Sequence, residues 1–473
     1  MSVKSYLFDN LVKGLGFEPT PCQLTLFESL SLFISDSDFE GKLMLVNGYA
    51  GTGKTSAIAS LVTLLKQFDR NFILLAPTGR AAKVLSGYSG CRSYTIHKQI
   101  YRQKSMKDGI GHFTLDLNKN RDTVFIVDEA SLISSGLSDS ALFGTGNLLD
   151  DLVHYVRMNS GNRLILVGDS AQLPPVGEEI SNALNINYLQ KYGDITYVVL
   201  KSVVRQAGDS GILHNATLIR NIIEGDGEAE FPKLEVGNFA DIERITGGDL
   251  IEKLSASYDK SSSDETLVLC RSNKRANRYN QGIRSKIMYR EERLNRGDKL
   301  MIVKNCYQFL DDIEEIDFIA NGDVAELIRI SAYEERYGLN FARAILRFPD
   351  YNNVEIDARI ILDTLESESA SLGSEQQRAL FNSVMEDYSH IKLKRKRIAA
   401  VREDIYYNAL QIKHANAITC HKSQGGQWKS VFIDNPFWKD EISKDDLKWL
   451  YTAITRATDK VYFVNFDDRF FVK

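Results

Sequence analysis

The sequence predicts an α/β chain with two parallel-sheet domains and a small β module set into the second. Three observations predict it. Short apolar runs without alternation recur along the first 205 residues, each stopped by a polar or glycine-rich cluster. The same style returns after residue 260 with different endings. It is interrupted from 298 to 412 by shorter alternating segments and a polar helical stretch. Runs this short and continuous fit strands buried on both faces, as in a parallel sheet.

In the first half, Leu43 to Val46 runs into Gly48-Tyr49-Ala50-Gly51-Thr52-Gly53-Lys54-Thr55. Phe72 to Ala76 ends in Pro77-Thr78-Gly79-Arg80, and Val124 to Val127 in Asp128-Glu129. Leu164 to Val167 ends in Gly168-Asp169-Ser170-Ala171-Gln172. After Thr55 a helix is expected, because Ala57, Ile58, Leu61, Leu64, Leu65 and Phe68 recur at helical spacing. Chemistry in an open parallel sheet collects at the carboxyl ends of its strands. Four polar clusters at four such ends should therefore share one crevice.

In the second half, Leu267 to Leu269 leads to Cys270-Arg271-Ser272-Asn273, Val431 to Ile433 to Asp434-Asn435, and Val461 to Val464 follows. No second glycine-rich cluster of the first kind occurs, so a second phosphate cradle is not expected. Val324 to Ile330 and Ala344 to Phe348 alternate and suggest a small β module, followed by one polar helix-like stretch from Ser374 to Asn408.

The chain of 473 residues is long enough for about three domains and needs neither disulfides nor a structural metal. Hydrophobic residues at 43% and charged residues at 26% exclude a disordered or membrane-embedded chain. Lys and Arg total 58 against 63 Asp and Glu, so 58 − 63 = −5, which excludes a uniformly basic protein. The charge is nonetheless segregated. Ala76 to Lys107 holds seven basic residues and no acid, whereas Gln206 to Glu265 holds five against thirteen. Five scattered cysteines without metal-ligand spacing read as reduced thiols. Lys4, Asp9, Asn10 and Lys13 break any apolar leader, and no run reaches bilayer length. A cytoplasmic protein with no membrane partner is expected, in a prokaryotic or phage-like setting.

Gly48 to Thr55 matches the phosphate-loop pattern G-x-x-x-x-G-K-[ST] in full. Chance supplies on the order of 0.02 such matches per chain of this length. Its glycines expose backbone N–H groups to phosphate oxygens, Lys54 reaches the β and γ phosphates, and the Thr55 hydroxyl ligates Mg²⁺. Gly48, Ala50, Gly51, Thr52 and Gly53 complete the cradle for ATP. Asp128 is placed to hold the metal and Glu129 to orient or deprotonate water. Gln172 sits where the γ-phosphate or that water could be sensed. Arg205 and Arg456 are candidates for the positive charge that phosphoryl transfer requires.

The order of these strings resembles superfamily 1 DNA helicases, in the 5′-to-3′ branch (1B) of the RecD, Dda and petite-integration-frequency helicases. The resemblance spans Gln23 to Arg456. It implies that Gln23, in Thr20-Pro21-Cys22-Gln23, contacts adenine, and that Val204-Arg205-Gln206 and Tyr451-Thr452-Ala453-Ile454-Thr455-Arg456 carry the two arginines. It implies that Pro77, Thr78 and Arg80, with Thr95 and His97, hold single-stranded DNA on the first domain. Thr419, His421 and Lys422, in Thr419-Cys420-His421-Lys422-Ser423-Gln424-Gly425, would hold it on the second.

The implied architecture is two RecA-like domains, with a β-hairpin insertion in the first and an SH3-like β module plus helical insertion in the second. Domain 1A would span 1–205 with hairpin 1B at 101–121. Domain 2A would span 206–297 and 413–473, and 2B 298–412. In relatives the hairpin separates strands, which makes Phe113, beside Gly109-Ile110-Gly111-His112, a candidate wedge. Ile391 to Arg397 is a basic run without an implied role. The activity implied is ATP-driven translocation on single-stranded DNA and unwinding at duplex junctions, by a monomer that supplies both halves of its ATP site. Single-strand-binding or recombination proteins would be its partners. A DNA-stimulated ATPase that remodels protein–DNA complexes, and a non-catalytic DNA-binding subunit of a recombination complex, are the competing readings.

Overall fold

A computed structural model describes residues 2–36, 41–103, 113–136, 144–204, 209–225, 227–310, 313, 316 and 318–472. The first sheet is built from β1 (Leu43–Gly48), β2 (Phe72–Ala76) and β3 (Ser93–Thr95). A small antiparallel ribbon of β4 (Tyr101–Gln103) and β5 (Phe113–Leu115) follows. The sheet then resumes with β6 (Val124–Val127), β7 (Arg163–Gly168) and β8 (Ile195–Leu200). Its order is β3-β2-β6-β7-β1-β8, every pair parallel.

The two faces of β1 explain why its sequence is apolar without a break. Met44 and Val46 enter one core with the helices Val3–Leu15, Pro21–Ser35 and Lys54–Gln67. Leu43 and Leu45 enter another with the helix Leu148–Arg157. Successive strand side chains point to opposite faces, so both parities must be apolar when helices cover both sides. In the helix Lys54–Gln67, Ala57, Ile58, Leu61, Leu64 and Leu65 are buried as the spacing requires. Phe68 is not. The helix ends before it, and Phe68 is 37% exposed at the C-cap.

The second sheet draws on both ends of the remaining chain. β9 (Ile242–Ile245) and β10 (Thr266–Cys270) come before the insertion. The insertion is a closed barrel of β11 (Lys299–Ile302), β12 (Val324–Arg336), β13 (Leu339–Phe348), β14 (Val354–Ile361) and β15 (Leu410–His414). β16 (Ala417–Thr419), β17 (Trp428–Asp434) and β18 (Ala457–Val464) then complete the second sheet, in the order β16-β10-β17-β18-β9, again all parallel. The α/β class with two parallel sheets and an inserted β module is therefore borne out.

The long strands β12 and β13 belong to two cores. Their barrel ends bury Ala325, Leu327, Leu346 and Phe348, while the far end buries Leu339 and Phe341 against two helices. These are Ser374–Asp387 and Lys394–Glu403, where the sequence suggested one continuous helical stretch. Ser389 and Ile391 lie in the break, and Arg397 reaches back to donate to both their carbonyls, at 3.3 and 2.8 Å. The five cysteines are free thiols, and no helix among the described residues is long and apolar enough to cross a membrane.

Candidate nucleotide and nucleic-acid site

The strand order places β6, β7 and β1 side by side, so their carboxyl ends bring Asp128, Asp169 and the phosphate loop into one crevice. The loop turns through Gly51 (φ +73°) and Gly53 (φ +81°), a region that favours glycine, and the helix Lys54–Gln67 starts immediately after. Thr52 is buried and its hydroxyl donates to Tyr49 O at 2.7 Å, which pins the loop. Lys54 Nζ donates to Gly48 O and to Tyr49 O at 3.0 Å, and stands 3.8 Å from Asp169 Oδ2. Thr55 is open to solvent on the first turn.

Asp128 accepts from the Tyr88 hydroxyl and, at 2.9 Å, from the Glu129 N–H. Burial pushes its carboxyl up, against the pull of Tyr88 and Lys54. Glu129 is likewise pushed up by burial, against the nearby Arg456 guanidinium. Glu129 has φ +53°, a left-handed conformation uncommon for its residue type, so its carboxylate is aimed by strained backbone. Gln172 is buried, and its Oε1 has no hydrogen-bond partner among the described residues.

Gln23, expected to contact adenine, is engaged with the protein's own backbone in the structure. It is fully buried, its Oε1 accepts from Thr20 N–H at 2.9 Å, and its Nε2 donates to Thr52 O at 3.1 Å. Thr20 and Gln23 form a capping box for the helix Pro21–Ser35, and the amide braces the phosphate loop from behind.

The second sheet contributes side chains. Arg456 is buried just past the helix Lys444–Ile454, held by Thr452 O at 3.1 Å and Gly426 O at 3.2 Å. Tyr451 donates to Asp169 Oδ2 at 2.7 Å and accepts from Ala50 N–H at 2.8 Å. Thr452 Oγ1 accepts from Leu173 N–H at 2.9 Å, and Gln424 Nε2 donates to Leu173 O at 2.6 Å. Arg205 lies outside the described residues; its neighbour Val204 donates to Gly51 O at 3.0 Å.

A cleft of about 480 Å³ runs between the first sheet, the barrel and the loop after β16. Pro77, Thr78, Arg80, Thr95, His97, His421 and Lys422 line it, and the structure thus brings together seven of the nine residues expected to hold nucleic acid. Thr78 and Thr95 also cap helices, accepting from Ala81 N–H and Lys98 N–H at 3.2 Å each. Burial pushes His97 down to about 4 and Lys422 down to about 8. Arg80 is largely committed to the second sheet, its guanidinium 4.2 Å from the ring centroid of Trp428.

Thr419, at the end of β16, is half-buried and does not line the cleft. Phe113 is not brought to a tip. It is the first residue of β5, paired with Gln103 and buried, with Tyr307 at 5.0 Å and Phe318 at 6.4 Å between ring centroids. Gly109 to His112, the expected turn, lie outside the described residues.

Residues 38–248 match the family described as AAA domain, and residues 414–464 match the UvrD-like helicase C-terminal domain. The ATP-dependent DNA helicase dda of Enterobacteria phage T4 is 25% identical over 450 residues, covering 89% of this chain and 93% of its own. The chain is thus similar to ATP-dependent DNA helicases of the Dda and Pif1 kind along most of its length. An uncharacterized protein of Acanthamoeba polyphaga mimivirus is 23% identical to this chain, covering 89% of it and 95% of its own. A Pif1 helicase from Bacteroides, solved with ADP-AlF3 and ssDNA, is 15% identical with a TM-score of 0.48, covering 97% of this chain and 95% of its own.

Sequence reasoning missed three parts of the candidate site: Tyr451, the Trp428 platform under Arg80, and Tyr351 of the barrel. A Cβ on Gly79 would stand 2.4 Å from the Tyr351 hydroxyl, so that glycine permits the barrel's close approach. Tyr351 in turn donates to Asp323 at 3.0 Å, and burial pushes the Asp323 carboxyl up to about 7. Only the last of the three could have been suspected, from a glycine following Pro77-Thr78 where the backbone must be approached closely.

Proposed function

We propose that this helicase hydrolyses ATP between its two parallel-sheet domains and moves 5′-to-3′ along single-stranded DNA, separating duplex at junctions. The observation that carries the reading is the composite crevice. The phosphate loop and Asp128-Glu129 belong to one sheet, while Arg456 and Tyr451 belong to the other, and the same two domains also line one cleft through Thr78, Thr95, His421 and Lys422. Domain 1A (1–205, with 1B at 101–121), domain 2A (206–297 and 413–473) and domain 2B (298–412) are the units assigned to this cycle.

ATP binding turns Lys54 from the Gly48 and Tyr49 carbonyls to the phosphates, and the loop N–H groups of Gly51 to Thr55 receive their oxygens. Glu129 and the unpartnered Gln172 Oε1 orient water for in-line attack. Arg456 and Arg205 neutralise charge developing on the γ-phosphoryl group. The donors near the loop suit Mg²⁺. The Thr55 hydroxyl and the Asp128 carboxylate are hard oxygen ligands, and no described cluster of three His, Cys, Asp or Glu offers a softer alternative. Bound there, Mg²⁺ supplies charge neutralisation across the phosphates.

Because Arg456 and Lys422 lie on the same sheet domain, closing the crevice shifts the second grip relative to Thr78, Thr95 and His97 of the first. Alternation of the two grips moves the strand. The test is unwinding of duplexes carrying either a 5′ or a 3′ single-stranded tail. Unwinding of the 5′-tailed substrate alone, lost with Lys54→Ala, is expected. Unwinding confined to the 3′-tailed substrate overturns the direction, and an undiminished DNA-stimulated ATPase in Lys54→Ala overturns the site.

A further inference from the structure

We infer that Tyr451 is a positioning residue for ATP hydrolysis, using its hydroxyl to set the arginine-bearing helix against the phosphate loop and Asp169. This deepens the proposed ATPase reading and rests on it. The phenol is 1% exposed, and its two hydrogen bonds both leave its own domain, to Ala50 N–H at 2.8 Å and to Asp169 Oδ2 at 2.7 Å. Those partners lie on the loops after β1 and β7, and Asp169 also faces Lys54 at 3.8 Å.

On its own side Tyr451 frames the last turn that presents Arg456. Its carbonyl accepts from Thr455 N–H at 3.1 Å and Thr455 Oγ1 at 2.9 Å, and Arg456 in turn donates to Thr455 Oγ1 at 3.4 Å. One side chain thus ties the phosphate loop directly to the turn that carries the arginine. The contact does not stand alone, because the adjacent Tyr49 donates to Glu224 of the helix Gly211–Glu224 across the same boundary. A buried hydroxyl that donates to a carboxylate and accepts from a backbone amide has a fixed orientation, which phenylalanine of the same shape lacks.

The experiment is steady-state ATP hydrolysis by full-length Tyr451→Phe at saturating oligo-dT. The expected result is a kcat lower by about tenfold or more with KM for ATP within about twofold, since positioning is expressed in the transition state. Thermal melting within a few degrees of wild type accompanies it. Asp169→Asn tests the contact from the other side: the losses in the double variant do not multiply if one contact carries both. A Tyr451→Phe kcat within twofold of wild type, a rise in KM alone, or fully multiplicative losses overturns the inference. A wild-type protein whose hydrolysis ignores DNA overturns the proposed function and this inference with it, whereas the first three results leave the proposed function standing.

Discussion

At the nucleotide crevice the first sheet presents a loop whose Gly51 and Gly53 hold positive φ and whose Thr55 is open to solvent. The second presents Tyr451, Thr452 and Arg456, each at 3% exposure or less. The first side thus offers backbone donors ready for a ligand, and the second offers side chains already held, Tyr451 and Thr452 by neighbours across the boundary and Arg456 by carbonyls of its own domain. The difference teaches a division of labour. On the proposed function, the backbone cradle serves ground-state binding, while the buried, pre-aimed side chains serve the transition state.

Replacing Arg456 with Ala gives the largest expected effect. DNA-stimulated kcat should fall about 1,000-fold while the KM for ATP stays within about threefold, as measured by steady-state hydrolysis. Lys54→Ala should move both constants. Should Arg456→Ala weaken ATP binding as strongly as Lys54→Ala, the contrast between the two sides is broken.

Next in size is Trp428→Ala. Trp428 is 6% exposed, packs in the core that joins the second sheet to Leu173 and Tyr49, and carries Arg80 on its face. Its truncation should cost about 3 kcal/mol in urea-induced unfolding. A loss below about 1 kcal/mol would show that the second side is less tightly fixed than its burial indicates.

Legibility in the sequence followed the same contrast. The phosphate loop was readable because its backbone demands glycine at fixed positions and a lysine after them. β1, β2, β6 and β7 were readable because both their faces are covered, which leaves an unbroken apolar run. Strands as short as β3 and β16 carry no such signal, since three residues cannot display a period. Tyr451 was hidden for a different reason: its partners Asp169 and Ala50 lie 282 and 401 residues away, and nothing local marks it. Gln23 was ambiguous because Thr20-x-x-Gln23 is also a capping box, and the structure shows that box formed.

A smaller effect sharpens the comparison at the nucleic-acid cleft. Burial holds Lys422 at about 8, so the side chain loses charge as pH rises through that value. A phosphate partner favours the charged form, so binding takes up a proton above pH 8 and weakens with further rise. Affinity for a labelled oligo-dT, followed by fluorescence anisotropy, should fall about threefold between pH 7 and 9 from this group alone. Lys422→Arg should flatten that part of the profile; an unchanged slope removes Lys422 from the grip.

The smallest expected effect belongs to Lys83. Its ion pair with Asp350 of the barrel spans 3.3 Å, but the lysine is half exposed. Lys83→Met should change stability by less than about 0.5 kcal/mol in the same urea experiment. A larger loss would mean that the barrel is fastened to the first sheet by charge rather than by the Gly79–Tyr351 contact.

The closed barrel has one more consequence. Its first strand, β11, and its last, β15, are antiparallel neighbours, with Leu300 opposite His414. The chain therefore enters and leaves through a doorway about 5 Å wide, the spacing of adjacent strands. Anything hung between those two strands can lengthen, shorten or be exchanged as a cassette while the anchor points at the second sheet stay put. The β12–β13 arm and its two helices are such a hanging part, and their size is free to vary without re-aiming Arg456.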